Sequence, residues 1–267
     1  MWRCALVTGA SSGIGRAIAE QLAAEGVDLV LVARREPALR RLAAHAVEQY
    51  GVRAEVIAAD LADGVSRAAV EARLADGMPP VDLLVNCAGG GLAGPFLDGT
   101  LAQRHYEAEL NCLSVLRLCH VAATEMAGRG RGTVVNVASG LGYYPCPGAS
   151  VYGASKAFVL NLSATLRYEL HGTGVGVTAV APGPTRTEGA TLAGVDLGRV
   201  PRFLVVTPER VAAATLAAAR AGRAVEQVTP WNRLMTLGRI LPARSVQPLL
   251  AAIFALLTGS EAVGRSR

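Results

Sequence analysis

A tyrosine and the only lysine of the chain, Tyr152 and Lys156, stand four residues apart. On a helix this spacing puts both side chains on one face, where the ammonium can lie beside the phenol and stabilise its anion. Free tyrosine titrates at about pH 10, and a neighbouring cation lowers the pKa toward the pH at which proton transfer is useful. The pair therefore predicts a tyrosine that acts as a general acid and base.

A glycine-rich loop near the N-terminus is the second feature with chemical meaning. The short apolar run 5–7 leads into residues 8–15, with glycines at positions 9, 13 and 15, and a helical pattern follows over residues 16–26. Glycines let the backbone turn tightly and approach a pyrophosphate, while the start of a helix offers free N–H groups and a positive dipole end. The loop predicts a phosphate-binding site between a strand and a helix.

Together with further motifs along the chain, these two features make the sequence resemble the short-chain dehydrogenases/reductases. The resemblance extends from Ala5 to about Gly222. The Arg-rich tail of the chain from Trp231 to Arg244, with the apolar run after it, resembles a bacterial subgroup related to hydroxysteroid and 3-oxoacyl reductases. Cys87 departs from the family, which usually has a second Asn there, but a small thiol buries easily. The motifs, in the family's order, are Thr8 to Gly15, Asp60-Leu61, Asn86-Cys87-Ala88-Gly89, Asn111, Ser139, Tyr152 with Lys156, and Pro182-Gly183-Pro184-Thr185-Arg186-Thr187.

Short apolar runs alternate with helical patterns over the first two thirds of the chain. The runs at 28–33, 54–59, 82–86, 132–138 and 175–181 have the composition of buried parallel strands. This alternation predicts an α/β fold, a doubly wound parallel sheet of the Rossmann type, in which ligands bind at the carboxyl ends of the strands. With 51% hydrophobic residues and no linker or repeat, the 267 residues are expected to form one domain with a helical C-terminal extension at about 231–258.

The family resemblance implies roles for four residues. Tyr152 gives its proton to a substrate carbonyl oxygen, and Ser139 hydrogen-bonds the same oxygen. Lys156 stabilises the phenolate and binds ribose hydroxyls. Asn111 is expected to hold a water that connects Lys156 to solvent, although a purely structural role for a buried asparagine stays open.

The cofactor implied by the resemblance is a nicotinamide dinucleotide, and the end of the second strand favours NADP. Ala33 stands where an NAD-binding protein would have an acid, and Arg34 follows it, where a guanidinium could grip a 2′-phosphate. Asp60 is expected to meet the adenine. The expected cofactor-binding residues are Gly9, Ser11, Ser12, Gly13, Ile14, Gly15, Arg34, Asp60, Leu61, Asn86, Ala88, Gly89, Tyr152, Lys156, Pro182, Gly183, Thr185 and Thr187.

Composition limits the other possible partners. The net charge is +5, but the arginines are scattered, so nucleic acid is not an expected partner. Five cysteines without metal-ligand spacing indicate reduced thiols and no metal site, and the early first strand leaves no room for a signal peptide. A cytoplasmic protein is therefore expected.

The apolar run 246–257 is too short for a membrane span and indicates a packed helix or, alternatively, one that touches a membrane surface or another subunit.

Substrate and assembly are less sharply defined by the sequence. Residues 188–207 are expected to form a mobile apolar lid, which favours an apolar carbonyl substrate, and Cys146 is a candidate for lining the pocket. The helical stretch Leu101 to Met126 and the one that holds Tyr152 carry apolar residues beyond a single face, which predicts a homodimer or homotetramer. These residues include Leu110, Leu113, Leu116 and Leu118 on the first stretch and Phe158, Leu160, Leu162 and Leu166 on the second. Two alternatives on the same fold are an epimerase or dehydratase, whose glycine spacing usually differs, and a non-catalytic NADP sensor, which typically loses the tyrosine or lysine.

Overall fold

Seven parallel strands form one sheet in the computed structural model, which describes residues 2–229 together with residues 233, 236 and 252. The central strands are buried on both faces, which explains their unbroken apolar sequences. The strands are β1 (Cys4–Thr8), β2 (Asp28–Ala33), β3 (Ala54–Ala58), β4 (Leu83–Asn86), β5 (Gly132–Val137), β6 (Val175–Val180) and β7 (Val225–Glu226). Their order in the sheet is β3-β2-β1-β4-β5-β6-β7.

Helices cover both faces of this sheet, so the predicted doubly wound α/β fold is confirmed. The helices are α1 (Gly13–Ala24), α2 (Glu36–Tyr50), α3 (Gly64–Asp76), α4 (Leu101–Ala108), α5 (Ser114–Gly128), α6 (Ser150–Glu169), α7 (Glu188–Leu192) and α8 (Pro208–Arg220). One core packs α1, α2 and α8 against the sheet, and a second core packs α3, α5 and α6 on the other face.

The strand order reverses between β1 and β4, which are neighbours in the sheet although two strands separate them in sequence. At such a switch point the connections leave in opposite directions and open a crevice at the carboxyl ends of the strands. The glycine loop follows β1, and the segments after β4, β5 and β6 end at the same edge. The fold therefore brings the sequence motifs to one cleft.

The helical stretch predicted at 101–126 is helical, but it is not one regular helix. Between α4 and α5 lies a π-helical segment, Glu109–Leu113, with Asn111 at its centre. Thr100 starts α4 with a capping box, in which its hydroxyl accepts from the Gln103 N–H. A wide turn of this kind displaces the side chains that follow it and is frequent at functional sites.

The expected second apolar face is smaller than the sequence indicates. Leu118 and Leu160, which were expected on it, are buried in the core between the helices and the sheet. Leu113, Leu116 and Phe158 remain partly exposed. The predicted C-terminal extension at 231–258 falls outside the described residues, apart from three isolated positions. Within the described part of the chain, no helix has the length and apolar character needed to cross a membrane.

Candidate active site

The glycine loop between β1 and α1 leaves the start of the helix open to an anion. Gly9 has a positive φ of 68°, and a Cβ atom on Gly15 would lie 2.5 Å from the Gly9 carbonyl oxygen, so the loop folds tightly on itself. Ser12 precedes α1 without capping it through its side chain, and the first turn of α1 contains no acidic residue. The free N–H groups and the helix dipole fit the pyrophosphate of a dinucleotide.

Thr8 ties this loop to the end of β4, and the sequence does not predict it as a site residue. Its hydroxyl oxygen accepts hydrogen bonds from the N–H groups of Cys87 and Ala88, both at 2.9 Å, and its hydroxyl donates to the Val85 carbonyl at 3.3 Å. Its place at the start of the motif Thr8 to Gly15 was the available signal in the sequence. These bonds fix the two strand ends on which the cleft is built.

At the far end of β2, Arg34 belongs to a chain of polar side chains. Its Nη1 donates to the Tyr106 hydroxyl at 2.8 Å, and that hydroxyl lies 3.1 Å from both carboxylate oxygens of Asp60. Burial raises the pKa of Tyr106, so the phenol stays protonated and its hydroxyl can donate a hydrogen bond to Asp60. Arg34 and Asp60, both predicted site residues, are thus joined by a tyrosine of α4 that the sequence analysis did not single out.

Arg35 is a second cation at the loop, and it too was not predicted. Its guanidinium lies 3.3 Å from the Ser11 hydroxyl and makes a 2.8 Å ion pair with Glu188, the first residue of α7. Hydrogen bonds from Arg35 lower the pKa of Glu188, and Ser12 adds a weaker one. Arg35 therefore connects the glycine loop with the start of the expected lid.

The structure brings together the four predicted catalytic residues, on β5, α6 and the π-helical segment. Ser139 follows β5 and hydrogen-bonds the phenol of Tyr152, while its oxygen accepts from the Leu141 N–H at 3.2 Å. Lys156 lies one turn after Tyr152 on α6, with its Nζ 5.6 Å from the phenol ring centre. Its ammonium donates to the Val137 carbonyl at 3.0 Å.

The proton affinities in this cluster differ from the expectation. Burial raises the pKa of Tyr152, although the hydrogen bond from Ser139 opposes the shift. Burial also lowers the pKa of Lys156. The expectation that the ammonium lowers the phenol's pKa is therefore not met, because loss of solvation is the largest influence on the phenol.

Asn111 is fully buried and its amide is occupied by protein groups. Its Nδ2 donates to the Gly90 carbonyl at 2.7 Å and to the Ser155 hydroxyl at 3.1 Å, and its Oδ1 accepts from the Gly90 N–H at 3.1 Å. A Cβ atom on Gly89 would lie 3.0 Å from the Asn111 oxygen and 3.1 Å from the Lys156 ammonium. These bonds support the structural role, with Asn111 holding the segment after β4 against α6.

Several predicted cofactor residues have other side-chain environments. Asn86 is buried, and its amide donates to Asn136 at 2.8 Å inside the sheet, so its expected place beside the nucleoside stays a prediction. Thr185 donates to the Gly183 carbonyl at 2.9 Å. Thr187 caps α7 and its methyl group would lie 3.0 Å from a Cβ on Gly13, so it does reach the loop.

The remaining predicted residues lie at the cleft edge or just beneath it. Leu61 is buried and its carbonyl accepts from Arg67 at 2.8 Å, and Ile14 packs against the core. The Pro182 carbonyl accepts from the Gly140 N–H at 3.0 Å, which joins the segments after β6 and β5. Ala88 packs close to Gly9.

A small group of mainly apolar side chains packs beside Tyr152. Cys146 is buried with Ala149, and Ala93, Leu141 and Tyr152 pack against them, so the expected pocket-lining position of Cys146 is next to the phenol. The expected lid contains α7 and is closed at its base, where the Arg186 N–H donates to the Val206 carbonyl at 2.9 Å. Leu192 and Phe203 of the lid are largely exposed.

Cysteine chemistry and metal binding find no support in the described residues. No group of three or more His, Cys, Asp or Glu side chains there is arranged to hold a metal ion. Burial raises the pKa of Cys87 to about 12, although Lys156 opposes the shift, and this keeps the thiol neutral. A neutral Cys87 thiol forms no ion pair with the Lys156 ammonium.

Comparisons with known proteins agree with the geometry. The family described as "short chain dehydrogenase" matches residues 3–194. A sulfoacetaldehyde reductase from Chromohalobacter salexigens is 42% identical over 191 residues, which cover 70% of this chain and 74% of that protein. The relatedness therefore covers both the glycine loop and the catalytic cluster.

Two solved structures are also similar. A short-chain dehydrogenase from Sphingobium yanoikuyae in complex with NADPH has a TM-score of 0.82 and 37% identity, with coverage of 90% of this chain and 94% of that one. A bulky-bulky ketone specific alcohol dehydrogenase from Comamonas testosteroni has a TM-score of 0.78 and 34% identity, with coverage of 90% and 93%.

Proposed function

The chain belongs to the short-chain dehydrogenase family of oxidoreductases, and we propose that it interconverts a carbonyl and a secondary alcohol on an apolar substrate, with NADP(H) as cofactor. The observation that carries the proposal is the cluster of the half-buried Tyr152 with the buried Ser139 and Lys156, at the same sheet edge as the glycine loop. A sensor without catalysis would not need this set of three side chains.

In the proposed mechanism, the nicotinamide supplies the hydride when bound, and the protein manages the proton. In reduction, the Tyr152 O–H bond breaks and its proton passes to the substrate oxygen. Ser139 hydrogen-bonds the same oxygen and stabilises the charge that develops there. Lys156 supplies positive charge near the phenolate that remains. A phenol with a raised pKa is neutral at ordinary pH, as a proton donor must be.

The preference for NADP over NAD is proposed from two arginines. No acidic residue stands at the end of β2, where Ala33 is followed by Arg34 and Arg35. Arg34 is held by Tyr106 next to Asp60, and Arg35 lies against Ser11 of the glycine loop. Two guanidinium groups that follow β2, one of them against the glycine loop, would favour a phosphate over a hydroxyl.

An apolar substrate is proposed from the walls of the cleft. Cys146, Ala149, Ala93 and Leu141 pack together with Tyr152, and the expected lid carries the exposed apolar side chains of Leu192 and Phe203. A pocket with these walls has few groups that could hydrogen-bond a charged substrate. The bulky ketones of the similar Comamonas testosteroni enzyme support this class, with steroids and 3-oxoacyl thioesters as further candidates.

The test is a screen for NADPH oxidation with bulky ketones, steroids and 3-oxoacyl thioesters, paired with fluorescence titrations of NADPH and NADH. We expect turnover with at least one apolar ketone and tighter binding of NADPH. Equal affinities would refute the cofactor preference. Turnover confined to small charged aldehydes would refute the substrate class and leave the reaction type intact.

Assembly and location also remain proposals. Leu113, Leu116 and Phe158 leave apolar area on adjacent helices, and we propose that a second copy of the chain covers it in a homodimer or homotetramer. Light scattering that finds only monomers would contradict this. The cytoplasmic location stays a prediction from the sequence.

A further inference from the structure

A buried carboxyl group lies behind the catalytic tyrosine, and the proposed mechanism does not use it. Glu107 is in the last turn of α4, four residues before Asn111, and is only 4% exposed. Neither of its carboxylate oxygens accepts a hydrogen bond of normal geometry, although the Leu92 N–H is near enough to lower the pKa. Burying a carboxylate without such bonds is costly, so its presence here needs an explanation.

Glu107 and Tyr152 meet over one glycine. A Cβ atom on Gly91 would lie 2.8 Å from Glu107 Oε1 and 2.6 Å from Tyr152 Cδ2. The φ angle of Gly91 is not positive, so its backbone does not demand glycine. The lack of room requires glycine instead, because any side chain at this position would push the carboxyl group and the phenol ring apart.

The one cation that approaches the Glu107 carboxylate in the described residues, Arg104, lies too far for a close ion pair. Arg104, on the same helix, approaches Oε2 only to 3.8 Å, because its guanidinium also donates to the carbonyls of Pro95 and Phe96. The Cys112 thiol, from the π-helical segment, and the Tyr152 phenol, from α6, are the acidic groups on which the Glu107 charge acts. Burial raises the pKa of Glu107 and Arg104 opposes this. Burial is also the largest cause that raises the pKa of Tyr152, a charge on Cys87 comes next among the raising causes, and a charge on Glu107 adds a smaller rise.

We propose that Glu107 is a positioning residue that sets how firmly the Tyr152 phenol holds its proton. When Glu107 is ionised, its negative charge opposes a phenolate at Tyr152, so the phenol stays protonated and ready to donate to a carbonyl oxygen. When Glu107 is neutral, the phenol ionises more easily and can accept a proton from an alcohol. This inference rests on the proposed role of Tyr152 as the proton donor and acceptor.

The test is the titration of Tyr152 in the protein without substrate. The phenolate absorbance of the wild type minus that of Tyr152→Phe isolates this tyrosine, and the same difference is taken in the Glu107→Gln background. We expect the Tyr152 transition at lower pH in Glu107→Gln, with a roughly tenfold larger proton dissociation constant, because one nearby charge has been removed. The high-pH limb of kcat/KM for ketone reduction should move in the same direction.

Glu109→Gln is the matched control, because Glu109 lies two residues on and pairs with Arg67 at 3.6 Å, away from the phenol. It should keep the wild-type midpoint. Glu107→Met removes the same charge with an apolar side chain of similar length, and it replaces Glu107→Gln if that variant does not fold.

The outcomes separate this inference from the proposed function. An unchanged Tyr152 midpoint in folded Glu107→Gln or Glu107→Met overturns the inference, even if stability falls, because a merely structural carboxyl would behave in that way. Full turnover by Tyr152→Phe would overturn the proposed function instead, whatever the position of the midpoint.

Discussion

The glycine loop after β1 and the cluster around Tyr152 lie at the same edge of the sheet, yet they present different groups to a ligand. The loop offers backbone N–H groups at the start of α1, with Arg35 against Ser11 and Arg34 nearby in sequence, held by Tyr106. The cluster offers buried side chains whose pKa values are shifted by loss of solvation. A phosphate is already charged and needs hydrogen-bond donors, whereas a reacting carbonyl needs a nearby acid with a suitable pKa.

This contrast implies that substitutions should have separable effects at the two ends. At the loop, adding atoms should disturb binding and folding together, because the backbone itself is the binding group. At the cluster, removing one polar atom should abolish chemistry and leave binding and folding nearly intact.

The largest expected effect is that of Tyr152→Phe. The ring still packs against Cys146 and Gly91, but it has no proton to give, so kcat should fall by roughly 10²–10⁴-fold. Affinity for NADPH and melting temperature should stay near the wild-type values. Tyr168→Phe, an exposed change on the same helix, is the control and should be silent. Substantial residual turnover by Tyr152→Phe would identify another residue as the acid.

Gly15→Ala should produce the opposite pattern. A Cβ atom there would lie 2.5 Å from the Gly9 carbonyl oxygen, and backbone on both sides leaves no flexible group to yield. Forcing a methyl group into such a site costs about 1–3 kcal/mol, so NADPH affinity and melting temperature should fall together. Gly128→Ala, at the open end of α5, has no atom within 4 Å of its added Cβ and should leave both unchanged. Tight NADPH binding by Gly15→Ala would break the comparison.

Arg35→Ala should have a smaller effect that is confined to one cofactor. Loss of a guanidinium beside Ser11 should weaken NADPH binding by roughly tenfold, the scale of one charged hydrogen bond, and leave NADH binding nearly unchanged. Arg34→Ala should have a similar effect, whereas Arg41→Ala, an exposed arginine on α2, should not. If only Arg34→Ala weakens NADPH binding, the sequence-based assignment is complete and Arg35 serves only its ion pair with Glu188.

The features that the sequence predicts correctly are those whose geometry depends on residues close together in the chain. Gly9, Gly13 and Gly15 lie within one loop, and Tyr152 and Lys156 within one helical turn, so their spacing alone indicates their geometry. The sheet follows from the apolar runs for the same reason. Predictions at the level of the fold were therefore confirmed, and the strand ends that carry the motifs lie at one edge of the sheet.

What the sequence does not predict depends on contacts between distant segments. Thr8 bonds to residues that lie 79 and 80 positions later in the chain, and Tyr106 joins Asp60 across 46 residues. The π-helical turn at Asn111 replaces a regular helix that periodicity alone would predict. The pKa of Tyr152 was expected in the wrong direction, because spacing reveals the nearby ammonium but not the loss of solvation that opposes it.

The smallest expected effect concerns the stability of the buried carboxyl at Glu107. Because burial raises the pKa of Glu107 in the folded state, its contribution to stability is fully present below the unfolded pKa and is lost as the pH rises through the folded value. Glutamine has nearly the same shape and cannot ionise. Glu107→Gln should therefore match the wild type in acid and become relatively more stable as the pH rises toward neutral.

The measurement is the difference in melting temperature between Glu107→Gln and the wild type over a pH series. A gain of a few degrees at the high end is expected, since about 1 kcal/mol moves the melting temperature of a domain of this size by about 2–4 °C. Glu36→Gln, which removes an exposed carboxylate paired with Arg40, should show the opposite trend or none. A difference for Glu107→Gln that does not change with pH would mean that Glu107 stays in one protonation state throughout, and the contrast between the two ends of the cleft would then rest on Tyr152 and Lys156 alone.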